Sequence, residues 1–434
     1  MSEPGVVAGA VHIPRFGVHG RRGRRFQCGS DEDAVTLAVE AGEGALAAWP
    51  GGAASIGGLF IALSHGPEIH GPQSQIVREA LDLPPDARVV TMAPDGLAGM
   101  TALQAALDSV DGRGVETALV VAAEATPGPD DRRSAGAAAL IVAADSVPAM
   151  RVSELARRSA LTHDDPRPAE AGTGPPDARF LQHRSRSLLG DMMAGLDGGG
   201  FDEVLCHGGA PADHDEVRRA LGATGSGGPA VLDGADFGPA GPLVAIVHAL
   251  RSLPSRTVGL VAHGAGQAAA FRLEIPAGVP GRWNVPEADL EPPVPSGGTG
   301  PALSLPAESP YFARTWGESL RLDAARCEAC GRIAFPPSQR PICAGCHGQR
   351  WKPYRLARTG VVASHIDNHF LPSGFAPRLG FALGELDDGQ RYWAPMPPEV
   401  AGDAVTIGDP VALHLRRFTV RDGLGVYGMK FVPA

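Results

Sequence analysis

Five runs in the first two-thirds of the chain are apolar at nearly every position: G-G-L-F-I-A-L-S at 57–64, A-L-V-V-A-A at 118–123, A-A-A-L-I-V-A-A at 137–144, E-V-L-C-H at 203–207 and V-G-L-V-A-H at 258–263. Runs without polar alternation suit strands buried on both faces, because a sheet covered by helices exposes neither side. Between them the apolar spacing turns helical, over Asp31–Ala48, Gln75–Leu81, Leu97–Val110, Asp213–Leu221 and Pro242–Leu253. Ser30, with Asp33 three residues on, is a candidate capping box for the first of these helices. The alternation predicts an α/β body. Residues 151–186, rich in arginine and proline, follow neither period and read as an irregular loop or cap.

The pattern breaks from Pro276 to Pro310, where P-A-G-V-P-G, E-P-P-V-P-S-G-G-T-G-P and L-P-A-E-S-P follow one another. Proline and glycine at that density support neither a packed helix nor a central strand, so the stretch reads as a linker. Beyond it the period changes again. Arg358–Ile366, Arg378–Glu385 and Pro410–Val420 collect β-formers, and D-D-G at 387–389 and R-D-G at 421–423 suit hairpin turns. These predict a short antiparallel barrel. The expected organisation is a body over 1–275, a linker over 276–309, a helix and metal ribbon over 310–357, and a barrel over 358–434.

The ribbon is expected from Cys327, Cys330, Cys343 and Cys346, which read C-E-A-C, twelve residues, C-A-G-C. Two C-x2-C pairs at this spacing offer four thiolates to one tetrahedral zinc and leave no open position for chemistry. The expected zinc is therefore structural, and any catalysis lies elsewhere. The two remaining cysteines, Cys28 and Cys206, are too few for a disulfide scaffold, which points to a reducing compartment. No secretory pattern opens the sequence and no apolar run is long enough to span a bilayer, so a cytoplasmic protein is expected.

Charge narrows the partners. The net charge is −10, but residues 310–434 carry +4 and the preceding 309 residues carry −14. A strongly acidic body argues against nucleic acid as the main partner.

The tail resembles the zinc-ribbon plus OB-fold family that accompanies thiolases and acyl-CoA enzymes. The matching order is the aromatic-bearing Y-F-A-R-T-W (311–316), the four cysteines, R-T-G-V-V (358–362), F-A-L-G-E-L (381–386), I-G-D-P-V (407–411) and Y-G-M-K-F-V-P (427–433). The body resembles the thiolase superfamily, most of all 3-hydroxy-3-methylglutaryl-CoA synthase. D-E-D-A-V-T-L-A-V-E-A (31–41) carries the match, supported by G-L-A-G-M-T-A-L-Q-A-A (96–106), A-L-V-V-A-A-E (118–124), L-C-H-G-G (205–209) and A-H-G-A-G (262–266). The resemblance implies an α/β thiolase-like layered fold of two similar βαβ-rich halves, with a site between the halves. It also implies acyl-CoA or acyl-carrier thioester substrates, and a homodimer or a complex with a thiolase-like protein.

Departures from the family fall on its reactive positions. The family's nucleophilic cysteine maps to Gly96, and no cysteine lies between Cys28 and Cys206 to replace it. Its general-base glutamate maps to Ser64, beside His65, and its asparagine maps near Asp236; only its histidine is kept, as His207. A cysteine at a helix head is activated because the dipole favours thiolate, whereas glycine has no atom to acylate. His207 is the candidate acid/base or carbonyl donor, and Asp236 a weak base or a loop carboxylate. Ser64 reads as structural, His65 and His70 as loop residues, and Cys28 as a surface thiol. Cys206 is expected to face the core. His263 either lines the pocket or closes a tight turn.

Two functions stay open. One is an enzyme that forms or cleaves carbon–carbon bonds of an acyl thioester without a covalent cysteine intermediate. The other is a degenerate pseudo-synthase that scaffolds a thiolase or carrier protein. Nucleic-acid binding by the ribbon and barrel ranks last, because the barrel lacks a dense basic and aromatic surface.

Overall fold

The computed structural model describes residues 3–20, 23–64, 72–93, 95–125, 133–144, 150–160, 178–196, 200–208, 211–222, 235–252, 256–264, 266–275, 280–285, 309–337, 341–370, 378–400, 405–421 and 424–433. Its contacts divide the chain into two compact units. Residues 1–28, 37–65 and 83–293 form the first; residues 29–36, 66–82 and 294–434 form the second. Two short segments of the expected body thus group with the tail.

The strands of the first unit are β1 (Gly5–His12), β2 (Phe16–Gly20), β3 (Gly23–Gln27), β4 (Gly58–Leu63), β5 (Arg88–Thr91), β6 (Thr117–Glu124), β7 (Gly136–Ala143), β8 (Arg151–Ser159), β9 (Glu203–His207), β10 (Arg256–Gly264), β11 (Gln267–Ile275) and β12 (Gly281–Asn284). The helices of the chain are α1 (Ala34–Ala48), α2 (Gln73–Ala80), α3 (Ala98–Asp111), α4 (Ala178–Met193), α5 (Pro211–Ala220), α6 (Gly241–Ser252) and α7 (Ser309–Arg321). All five apolar runs are strands, and every residue of β4, β6 and β7 is buried.

Six strands form one sheet in the order β12-β1-β7-β6-β4-β5, and four form a second in the order β8-β11-β10-β9. The two repeat one pattern. β4 runs parallel to β6, and β9 parallel to β10. β7 and β11 then return antiparallel, followed by antiparallel β1 and β8. In each half one helix enters the strand after the parallel crossover, α3 before β6 and α6 before β10. Met100 and Leu103 of α3 and Leu243 and Val247 of α6 share one buried core with Leu140 of the first sheet and Phe271 of the second. Two similar halves are what the resemblance implied; that α3 and α6 share their core is seen only in the structure.

Three expectations change. The arginine-rich stretch at 151–186 contains β8 and the first half of α4, and residues 161–177 lie outside the described ones. β8 is an edge strand whose residues are exposed or half-exposed, so it has no apolar run to betray it. β12 falls inside the stretch read as linker and pairs parallel with β1, from Gly9 opposite Gly281 to His12 opposite Asn284. The head of α1 is capped by Asp33 rather than Ser30: its Oδ1 accepts from the N–H groups of Val35 and Thr36 at 3.1 and 3.0 Å, and its own N–H donates to Thr36 Oγ1 at 2.8 Å.

In the second unit, β13 (Asp323–Cys327), β14 (Ile333–Ala334) and β15 (Trp351–Arg355) make a three-stranded ribbon. β16 (Thr359–Asn368), β17 (Leu379–Leu386), β18 (Arg391–Pro395), β19 (Pro410–Arg421) and β20 (Leu424–Pro433) make a five-stranded sheet in the order β18-β17-β16-β19-β20. Its edges curl towards closure where Tyr392 of β18 meets Phe431 of β20, ring centroids 6.3 Å apart. This nearly closed sheet fits the expected OB-fold. The D-E-D segment packs within the same unit. Asp31 Oδ2 lies 2.8 Å from Lys430 Nζ, Glu32 lies 3.2 Å from Arg416, and the Tyr427 hydroxyl donates to Asp33 at 2.9 Å.

Candidate functional site

His207 ends β9, and strand alternation turns its ring to the α6 side of the sheet, with Leu205 and away from Cys206. The ring is buried against Gly241, the first residue of α6: a Cβ there would sit 1.9 Å from His207 Cε1. Only glycine admits that contact. Nε2 faces Asp236 Oδ1 at 3.8 Å, beyond direct hydrogen-bonding range. Asp236 is itself held, since its Oδ1 accepts the Gly238 N–H at 2.9 Å and its carbonyl accepts the Ser134 N–H at 2.6 Å. Its side chain is nonetheless 46% exposed, so it is the solvent-facing member of the pair. Burial lowers the His207 pKa, only partly opposed by the Asp236 charge and by a hydrogen bond to the Gly238 backbone. The imidazole is held neutral, the form that can donate one hydrogen bond and accept another.

Gly208 follows at φ +83, and a Cβ on it would fall 1.8 Å from the His263 carbonyl oxygen. Gly96 lies against the same peptide: a Cβ on it would stand 3.7 Å from that oxygen and 3.4 Å from Gly264 Cα. The His263 carbonyl therefore brings the head of α3 and the end of β9 together. Asp95, just before Gly96, accepts the Leu97 N–H at 2.8 Å in the turn that leads into α3, and it also accepts from Gln267 Nε2 at 3.0 Å. Position 96 has ordinary space for a side chain and none to fill it.

The other candidates separate. The His263 ring lies on the opposite face of the sheet, with Nδ1 3.1 Å from Ser185 Oγ of α4, so this residue builds the turn and its ring is turned away from His207. Ser64 Oγ accepts the Ala125 N–H at 3.0 Å and ties β4 to the end of β6. Cys206 packs with the α4–α5 side, and burial pushes its thiol up to about 12, which leaves no nucleophilic thiolate. Cys28 is half-buried. His65 and His70 lie outside the described residues.

One neighbouring pair was not marked by the residue patterns. Glu124 ends β6, is 0% exposed, and meets Arg133 Nη1 at 2.9 Å. A carboxylate closing an otherwise apolar strand was the only signal for it.

In the second unit the four cysteines converge, their Sγ atoms all within 4.8 Å of one another. Cys327 and Cys346 are 3.6 Å apart, Cys330 and Cys343 3.5 Å. Those spacings far exceed a disulfide and sit close to the sulfur–sulfur edge of about 3.8 Å in a tetrahedron with metal–sulfur bonds of about 2.3 Å. The Gly345 and Cys346 N–H groups hold the Cys343 thiol down to about 6. The Gly348 N–H lowers Cys346 as well, but neighbouring thiols push it up to about 12. Four thiols this close ionise together only around a cation, and the set fits one metal ion.

No family model matches the chain. Over 189 residues it is 30% identical to the hydroxymethylglutaryl-CoA synthase of Pyrobaculum calidifontis, a match covering 38% of this chain and 53% of that protein. The chain thus spans about half the length of the curated relative it matches. Among solved structures, Xanthomonas campestris OleA aligns at a TM-score of 0.54 and 16% identity, over 63% of this chain and 98% of that one. Cerulenin-bound OleA from the same organism aligns at 0.51 and 17% identity, over 63% and 96%. The first unit has the thiolase-like α/β fold. The sequence likeness of the chain is to hydroxymethylglutaryl-CoA synthase, and its structural likeness to OleA.

Proposed function

We propose that this chain binds an acyl thioester, on CoA or on an acyl-carrier protein, and makes or breaks the carbon–carbon bond beside its carbonyl without an acyl-enzyme. The observation that carries this reading is a glycine at the head of α3, sharing the His263 peptide with a strand end that presents a neutral His207 to Asp236. A covalent route needs a nucleophile at position 96. An enolate route needs only a base, a donor and a dry site.

In the cleavage direction the substrate is a β-hydroxyacyl thioester. Asp236 takes the hydroxyl proton, and the released O–H electron pair becomes the new carbonyl bond. The Cα–Cβ bond breaks and its electrons pass into the thioester as an enolate, whose oxygen accepts a hydrogen bond from His207. Return of the proton to the α-carbon gives an acyl thioester and a free aldehyde or ketone. The reverse reaction is an aldol addition. The metal read for Cys327, Cys330, Cys343 and Cys346 is zinc, which four thiolates would close completely, so its part is to hold the ribbon. The protein acts in the cytoplasm on this reading, as a homodimer or with a thiolase-like partner.

Calorimetric titration of the full chain with CoA and a series of acyl-CoAs tests this, alongside His207→Ala. Saturable micromolar binding that discriminates between acyl groups is expected, with turnover of a β-hydroxyacyl thioester falling roughly 10²–10⁴-fold in the variant. A folded, metal-loaded protein that binds none of them overturns the reading. It would leave the scaffold function, favoured by the two unreactive positions Gly96 and Ser64.

A further inference from the structure

The buried ion pair at the end of β6 lies beneath the His207 site. Gly238 opens the 3-10 turn Gly238–Ala240 at φ +48, and a Cβ on it would fall 2.0 Å from Glu124 Oε2 and 3.2 Å from Arg133 Nη1. The pair therefore packs directly against the turn. That turn fixes Asp236 on one side, through the Gly238 N–H, and leads on the other into Gly241, on which the His207 ring rests. Ser134, next to Arg133, donates its N–H to the Asp236 carbonyl, and its hydroxyl accepts the Phe26 N–H at 3.3 Å. Two elements of the first sheet thus clamp the loop that carries the candidate base of the second.

We propose that Glu124 and Arg133 are positioning residues of the His207 site: the pair props the Gly238 turn that presents Asp236 to His207. This rests on the reading of His207 and Asp236 as the reacting groups. A pair needed only for packing would be replaceable by an apolar pair of similar volume, often without loss of stability. A pair whose charges belong to the site is not, because removing either one leaves the other uncompensated against the Gly238 turn. The charged or titratable groups that act on His207 are Asp236 from the loop, His214 from α5 and Arg133 from the segment before β7. His214 is itself held below its usual pKa by burial while its Nε2 meets the Gly208 carbonyl at 2.6 Å. Of these, Arg133 is the one whose charge Glu124 balances.

The test follows the His207 ring by NMR across a pH titration of the ligand-free full chain. Glu124→Gln leaves Arg133 unbalanced and should lower the His207 midpoint. Arg133→Met leaves Glu124 unbalanced and should raise it, each by on the order of one pH unit. Glu124→Asp and Arg133→Lys keep the charges and should titrate close to wild type. Shifts in one shared direction, or none in folded variants, overturn the proposal. If a single charge removal prevents folding, the double variant decides. It lacks the net repulsion from Arg133, so a midpoint above wild type supports the inference and an unchanged one overturns it. Because no thioester enters this experiment, a failure of thioester binding by the wild type is read separately from it.

Discussion

Both units bury ionisable groups, and the contrast between the two sets separates architecture from chemistry. In the second unit Asp31, Asp33, Arg416 and Lys430 are buried and Glu32 is partly so, and each acid has a basic or hydroxyl partner within 2.8–3.4 Å. These charges meet one another within the cluster. The cysteine cluster likewise closes on itself once a metal is bound. In the first unit His207 is equally buried, but its carboxylate stands off at 3.8 Å and is nearly half exposed. A closed cluster holds a fold; one with a gap and an open side can receive a substrate.

The largest expected effect breaks the closed side. Cys327→Ser, or removal of the metal by a chelator, should cost on the order of 10 kcal/mol of metal-linked folding energy in the ribbon. Metal analysis should find about one zinc per chain, and circular dichroism should show loss of tail structure without it; a metal-free protein with an intact ribbon refutes the cluster. Lys430→Met leaves Asp31 with Arg416 at 3.8 Å as its basic neighbour and should destabilise by about 3–5 kcal/mol, read by denaturant unfolding. Full stability in that variant would show that the cluster is not the closed network described.

The open side is sharpened by Gly96→Cys. The new thiol would stand at the head of α3, with its Cβ in ordinary contact with Gly264 and the His263 carbonyl. Incubation with an acyl-CoA should add one acyl mass per chain by intact mass spectrometry, a change the wild type cannot show at that position. No adduct would mean that position 96 does not face the thioester. A smaller effect is expected from pH. The folded pKa of His207 lies below its unfolded value of 6.5, so the unfolded chain binds the proton first, and this stability contribution is present above pH 6.5 and lost as pH falls towards the folded value. His207→Gln should flatten that part of the pH–stability curve. His214 and His248 are shifted the same way and should keep the remaining slope. The smallest effect is a gain. His347 holds φ 57 in the second C-x2-C knuckle, where the first has Gly331 at φ 75. His347→Gly should stabilise the ribbon by about 0.5–1 kcal/mol in a thermal melt.

How much of this was legible in the residues depends on how far each signal reaches along the chain. The four thiols announce themselves because two knuckles of fixed local spacing are enough to build a tetrahedral site. Strands such as β6 and β7 are legible because burial on both faces suppresses every polar position in a row. The absence of a nucleophile at Gly96 is also a sequence fact, since no fold can supply an atom the residue lacks. β8 escaped because an edge strand keeps its polar side chains. Glu124 and Arg133 escaped because a buried charge in a strand looks like an error until its partner is found.

What tertiary structure alone decided is which distant residues share a low-dielectric site. The D-E-D segment reads as a helix head, yet its partners lie almost four hundred positions away, in β19 and β20. His207 at the end of β9 and His263 one residue before the end of β10 both precede glycines, and only the facing of β9 and β10 sends one ring to α6 and the other to α4. Local pattern determines whether a strand or helix forms, because backbone sterics and burial period act over a few residues. Which face is turned where, and which charge meets which, is determined by packing between segments far apart in the chain, and on that the chemistry of this site depends.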